Sequence, residues 1–238
     1  MRKPTAVLEA GLWQAYAHLY DGLLDVYAYR DMLDDVVELS DVKGHRVLDV
    51  GCGTGNVTAR LLQDRPAHVV AVDASANMLG LARRKLALDV AQGSVEFVLD
   101  DATAALAAQP EGSVDRITAV NFLYTQPDRT AFFTQVARVL APGGFLVAAH
   151  TTRPGFGPIV REQLRRGGWR SLLRVRLIGI GVIDLLIDLL ARGGRYDFSP
   201  VDRLADEAAA AGLGTTTRHG RTYGGPDDGV NELVRIGR

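Results

Sequence analysis

Asp49, Gly51, Gly53 and Gly55 form a D-x-G-x-G-x-G run between a short apolar stretch, Arg46–Val50, and a helical pattern. Glycines at this spacing let a backbone turn tightly and approach a ligand closely, and the helix beyond brings free N–H donors to the same place. The loop therefore suits a nucleotide-like ligand. It is not a dinucleotide loop, because the third glycine of G-x-G-x-x-G would fall at position 56, which is Asn56. It is not a phosphate-binding P-loop either, which needs a lysine followed by Ser or Thr. Asp73 ends the next apolar run, where a carboxylate can accept hydrogen bonds from a ribose diol or simply cap the helix that follows. Asp101 and Ala102 end the third run, at a position suited to an adenine amino group, and Asn121 ends the fourth. All these residues fall at the carboxyl ends of predicted strands, where open α/β sheets bind ligands.

Strands and helices alternate through the middle of the chain. Apolar runs at 46–50, 69–72, 95–99, 115–120 and 145–149 predict buried strands, and 58–63, 75–88 and 129–140 predict helices between them. This alternation implies βαβ units and a mainly parallel sheet. Pro142-Gly143-Gly144 predicts a turn into the fifth strand. Ser199-Pro200-Val201-Asp202 predicts a capped helix running to Gly212, after which 215–221 and 232–236 can pair as an antiparallel edge. The expected architecture is α/β, a doubly wound seven-stranded sheet within one domain, 1–238. A cofactor-binding core, 41–150, is joined by a helical N-terminal lid at 5–40. A helical insertion follows strand five at 151–197, and a C-terminal helix and hairpin occupy 198–238. Residues 172–190 are long and apolar, but Arg174, Arg176, Asp184 and Asp188 are costly in lipid, so an amphipathic helix is expected there.

The 238 residues are 47% hydrophobic and 23% charged, with a formal net charge of −1. That is an ordinary globular composition with no global field drawing it to nucleic acid, and neither a nucleic-acid nor a membrane partner is expected. Cys52 has no second cysteine to pair with, and no sustained apolar run follows the N-terminal MRKPTAVLEAGLWQ. A cytoplasmic protein without a signal peptide is the expectation. The five histidines have no metal-ligand spacing, and no metal is expected.

In order along the chain, VLDVGCGTG, AVDASANML, VLDDA and RVLAPGGFLV resemble successive motifs of the class I S-adenosylmethionine-dependent methyltransferases of small molecules. The resemblance covers about 44–150 and implies a seven-stranded sheet with its last strand antiparallel. It implies S-adenosyl-L-methionine as cofactor, with Gly51, Gly53 and Gly55 under its methionine part and Asp49 toward its amino group. It further implies Asp73 and Ala74 at the ribose, Asp101 and Ala102 at the adenine and Met78 beside the adenosine, and Asn121, after the fourth strand, is expected among the cofactor-binding residues. The segment around Tyr20 resembles an N-terminal lid in which a tyrosine covers the cofactor, and RTYGGPDD resembles the C-terminal hairpin of the same enzymes.

Methyl transfer from a sulfonium chiefly needs nucleophile, carbon and sulfur held in line, with proton removal where the acceptor requires it. The acceptor half is therefore less legible than the cofactor half. A small apolar or aromatic acceptor of secondary metabolism is expected, between the lid and the insertion. A non-methylating reaction such as cyclisation, or a quinone or RNA methyltransferase, is the alternative. His150 is the candidate base because it ends strand five, with His219 and Tyr20 as competitors. The insertion carries Arg153, Arg161, Arg165, Arg166, Arg170, Arg174 and Arg176 against Glu162 alone. A solvated helix face, a clamp for an acidic group and contact with a membrane surface all fit that pattern.

Overall fold

The alternation of apolar runs with helical patterns becomes, in a computed structural model that describes residues 17, 19–153, 156–173, 181, 196–224 and 227–238, a seven-stranded sheet flanked by helices. The strands are β1 (Arg46–Val50), β2 (His68–Asp73), β3 (Val95–Leu99), β4 (Val114–Val120), β5 (Leu140–Thr151), β6 (Thr216–Thr222) and β7 (Asn231–Gly237). Their order is β3-β2-β1-β4-β5-β7-β6. The first five run parallel, and β7 lies antiparallel between β5 and β6. The order reverses beside β1, so the loops after β1 and β4 flank a crevice at the carboxyl edge of the sheet.

The helices are α1 (Tyr27–Ser40), α2 (Asn56–Leu61), α3 (Ala76–Lys85), α4 (Ala87–Ala91), α5 (Ala102–Ala108), α6 (Arg129–Val139), α7 (Phe156–Gly167) and α8 (Val201–Ala210). Side chains alternate across a strand, and the two faces of the sheet accordingly build separate cores. Val47, Val69, Ala71, Val147 and Ala149 pack with α1, α2 and α3 through Tyr29, Met32, Leu61 and Leu79. Leu48, Val50, Ile117, Leu146 and Ala148 pack on the other face with α5, α6 and α8 through Leu106, Phe132, Phe133 and Leu204.

Several local expectations change. Pro142-Gly143-Gly144 is not a turn before β5 but part of it: the strand begins at Leu140, paired with Val114, and a register shift between Val114 and Arg116 accommodates the extra residues. The helix expected over 75–88 breaks at Leu86, whose φ of −110° and ψ of 32° leave the helical region. Ser199 does not cap α8; Pro200 holds the cap position without a side-chain hydrogen bond, and Ser199 is buried. The amphipathic helix expected at 172–190 lies almost wholly outside the described residues. No helix among the described residues is long and apolar enough to cross a membrane.

Candidate active site

The β1–α2 loop turns as its composition requires. Gly51, Gly53 and Gly55 have φ of 69°, 56° and 79°, a region open to glycine at little cost. Gly51 also has no room for a side chain, since a Cβ there would lie 2.9 Å from Cγ of the Phe122 ring. The Asp73 carboxylate holds the loop from β2: Oδ2 accepts from Gly53 N–H at 2.9 Å, and Oδ1 accepts from Ser75 N–H at 2.8 Å. Asp73 thus fastens the glycine loop to the start of α3, where Ser75 in turn accepts from Met78 N–H. Ala74 is exposed between them, and Met78 is buried beside Tyr124 and Tyr196.

Asp49 is enclosed, with Oδ1 accepting from the Thr118 hydroxyl at 2.8 Å and Oδ2 from Thr58 at 2.6 Å. Burial pushes its carboxyl up to about 6, against the opposing pull of the two hydroxyl donors. Burial likewise raises Asp73. Neither carboxylate forms an ion pair among the described residues. An enclosed acid and a half-buried one beside one loop, with no cation paired to either among the described residues, fit a ligand that brings its own positive charge. Cys52 is buried beside them and its thiol is pushed well up, chiefly by burial, which leaves it unreactive.

Asp101 is exposed and caps α5, accepting from Thr103 N–H at 2.9 Å and Ala104 N–H at 3.3 Å, with Ala102 buried behind it. Tyr20 comes from the N-terminal segment to within contact of the loop: its Cε1 would lie 3.6 Å from a Cβ on Gly53. The next residue explains why. Asp21 Oδ1 accepts from the Thr54 hydroxyl at 2.6 Å and from Lys85 Nζ at 2.7 Å, and Lys85 also donates to Asn56 Oδ1 at 2.6 Å. Lys85, Thr54 and Asn56 therefore tie the lid to the glycine loop, although sequence reasoning singled out neither Lys85 nor Thr54. Gln163 is a second omission. It is buried on α7, accepts from Tyr27 N–H at 3.0 Å and donates to the Asp25 carbonyl at 3.2 Å, so the insertion caps the first helix. Tyr29, fully buried, stacks edge-on against Tyr20 and Tyr223, and burial pushes its hydroxyl up to about 12.

His150 does not sit as a general base would. It is fully buried, its Nε2 lies 2.9 Å from the Ser199 carbonyl, and its Nδ1 meets no partner among the described residues. Burial lowers its basicity. In this arrangement the imidazole fastens the chain after the insertion to β5 and faces no open space for an acceptor. His219 is exposed on β6. Among the described arginines of the insertion, Arg161 pairs with Asp228, Arg165 with Glu162, and Arg166 with Asp31, while Arg174 and Arg176 lie outside the described residues. Among the described residues no cluster of three His, Cys, Asp or Glu could hold a metal ion.

Residues 47–144 match the profile of a methyltransferase domain, and this span includes the glycine loop, Asp73, Asp101 and Asn121. The matched span reads as a methyltransferase domain, and the relatives that the chain matches are named methyltransferases. Methyltransferase GfsG of Streptomyces halstedii is 39% identical over 119 residues, 50% of this chain and 42% of the relative. The ubiquinone/menaquinone biosynthesis C-methyltransferase UbiE of Saccharophagus degradans is 32% identical over 151 residues, 61% of this chain and 60% of the relative. The chain thus spans about half the length of these relatives. The methyltransferase fold is shared with magnesium protoporphyrin IX methyltransferase (ChlM) from Synechocystis, a structure with bound S-adenosylhomocysteine. That likeness has a TM-score of 0.58 at 17% identity and covers 89% of this chain and 83% of the other.

Proposed function

We propose that this chain transfers a methyl group from S-adenosylmethionine to a small apolar or aromatic acceptor, of the kind made in secondary metabolism. The observation that carries the reading is the Asp73 carboxylate spanning Gly53 N–H and Ser75 N–H beside a glycine loop, with the enclosed Asp49 carboxyl next to it and neither acid in an ion pair among the described residues. When bound, the cofactor supplies a methyl carbon made electrophilic by the sulfonium. Gly51, Gly53 and Gly55 let the loop backbone pass beneath the methionine part. Asp49 offers negative charge to the ammonium from within the core. Asp73 and Ala74 take the ribose, Asp101 and Ala102 the adenine edge, and Met78 packs on the adenosine. Tyr20, held down through Asp21 and Lys85, covers the site and excludes water.

The acceptor enters between the N-terminal segment and the insertion, which Gln163 joins through Tyr27 and Asp25. The similarity to GfsG and to the C-methyltransferase UbiE supports a small-molecule acceptor. Calorimetry with S-adenosylhomocysteine tests the cofactor half: Asp73→Ala should weaken binding by about 1–3 kcal/mol, and unchanged affinity in the folded variant removes Asp73 from the site. Incubation with methyl-labelled cofactor tests the reaction. Binding without label transfer to any acceptor would favour a non-methylating reaction such as cyclisation.

A further inference from the structure

The lid and α1 meet at a break that the N-terminal region does not close for itself. The lid ends in a short 3-10 turn, Asp21–Asp25, and α1 begins at Tyr27. Val26 between them is extended, with φ of −89° and ψ of 122°, and supplies no side-chain cap. Gln163 closes the break from α7, 136 positions beyond Tyr27: Oε1 accepts from Tyr27 N–H at 3.0 Å, and Nε2 donates to the Asp25 carbonyl at 3.2 Å. An amide can serve both groups because one end accepts and the other donates, and the two backbone partners leave it a single orientation. Gln163 is itself held. It is 3% exposed, and its own carbonyl accepts from the Ser171 hydroxyl at 3.2 Å. One turn on, α7 lies so close to α1 that a Cβ on Gly167 would stand 2.9 Å from Tyr27 Cε2. The Arg166 guanidinium sits 4.8 Å from the centre of the Tyr27 ring and pairs with Asp31. At its other end the lid grips the glycine loop, Asp21 through Thr54 and Lys85, and Tyr20 against Gly53. A 3-10 turn rises about 2 Å per residue, so only about 10 Å of wound backbone separates that grip from the break that Gln163 closes.

We infer that Gln163 is a positioning residue for the cofactor cover: by closing the joint between the lid and α1, it makes the grip of Tyr20 and Asp21 on the glycine loop depend on the insertion being seated. The inference rests on the reading above of Tyr20 as the cover of an S-adenosylmethionine site. Without the amide, the Tyr27 N–H and the Asp25 carbonyl lose their partners, and the joint must turn toward water to regain them. Asp21 then parts from Lys85 more often, and bound cofactor escapes sooner. With the amide in place, the two halves of the site open together. Spent cofactor leaves when α7 lifts off α1, and not before.

The test is a double-mutant cycle read by the release of S-adenosylhomocysteine in stopped flow. Gln163→Met keeps the length and apolar stem of the side chain but neither hydrogen bond, and should speed release about fivefold or more. Lys85→Met frees the same lid at its other end, so the double variant should release within about twofold of the faster single variant. Effects that multiply would make the two residues independent and overturn the inference, as would an unchanged rate in Gln163→Met. Gln163→Glu, which at neutral pH loses the donor to Asp25, should also speed release, and it carries the same cycle if the methionine variant does not fold. Deuterium exchange of the protein without cofactor gives a second readout. Gln163→Met should raise exchange over residues 20–27 and leave β1–β5 as in wild type. A rise spread evenly over the sheet would make Gln163 merely structural and overturn the inference. If wild type binds no S-adenosylhomocysteine, the methyl-transfer reading falls, and the exchange pattern alone decides whether Gln163 holds the lid.

Discussion

Replacing Asp49 by asparagine should make the protein more stable at neutral pH and a poorer cofactor binder. Asp49 is fully enclosed, and burial holds its carboxyl at about 6, against 3.8 in an unfolded chain. The folded chain therefore keeps this proton up to about pH 6, while the unfolded chain releases it near 3.8. Across that window the unfolded state binds fewer protons, so stability falls as pH rises. The loss over roughly two pH units is about 3 kcal/mol and is complete above about pH 6. Asparagine cannot ionise, and its amide satisfies both neighbours, accepting from one threonine hydroxyl and donating to the other. Urea unfolding of wild type and Asp49→Asn at pH 4.5, 5.5, 6.5 and 7.5 should show the variant gaining relative stability up to about pH 6 and then a constant difference. His150 works in the opposite sense, so the quantity to read is the difference between the two proteins rather than the wild-type profile. S-adenosylhomocysteine, with its ammonium, should bind wild type more tightly as pH rises through about 6, and the variant should lose that dependence. Parallel pH profiles for the two proteins would refute the reasoning, because Asp49 would then be ionised throughout.

Lys85→Met should speed dissociation of S-adenosylhomocysteine about fivefold in stopped-flow measurements, because it removes the cation joining Asp21 to Asn56; an unchanged rate would detach the lid from this network. Gly51→Ala should destabilise the fold by about 2–5 kcal/mol in chemical denaturation, through the left-handed backbone and the collision with Phe122; a variant as stable as wild type would contradict the packing described. Burial lowers the His150 pKa below its unfolded value of 6.5, so its neutral form is favoured on folding and stability should decline as pH falls below about 6.5. His150→Gln should flatten that decline in thermal melts, and an unaltered slope would assign it to other groups.

The sheet and the turn of the glycine loop were legible in the sequence because both are written locally. A buried parallel strand is a short apolar run, and a loop that must adopt positive φ declares itself with glycine, as Gly51, Gly53 and Gly55 do. Asp73 was placed by its position at the end of β2, where the direction of the strand alone brings a carboxylate to the loop. What the sequence could not determine is which polar groups meet across the fold. Lys85 reaches Asp21 across 64 positions, Gln163 reaches Tyr27 across 136, and Asn231 reaches Asn121 across 110. Hydrogen bonds of this kind depend on how helices and strands stack, and no residue spacing records that. His150 makes the same point from the other side. Its place at the end of β5 suggested a base, and only the return of the chain through Ser199 closed the imbalance of an open imidazole by burying it. Backbone conformation follows from neighbours in sequence, whereas the burial and partners of a side chain follow from neighbours in space.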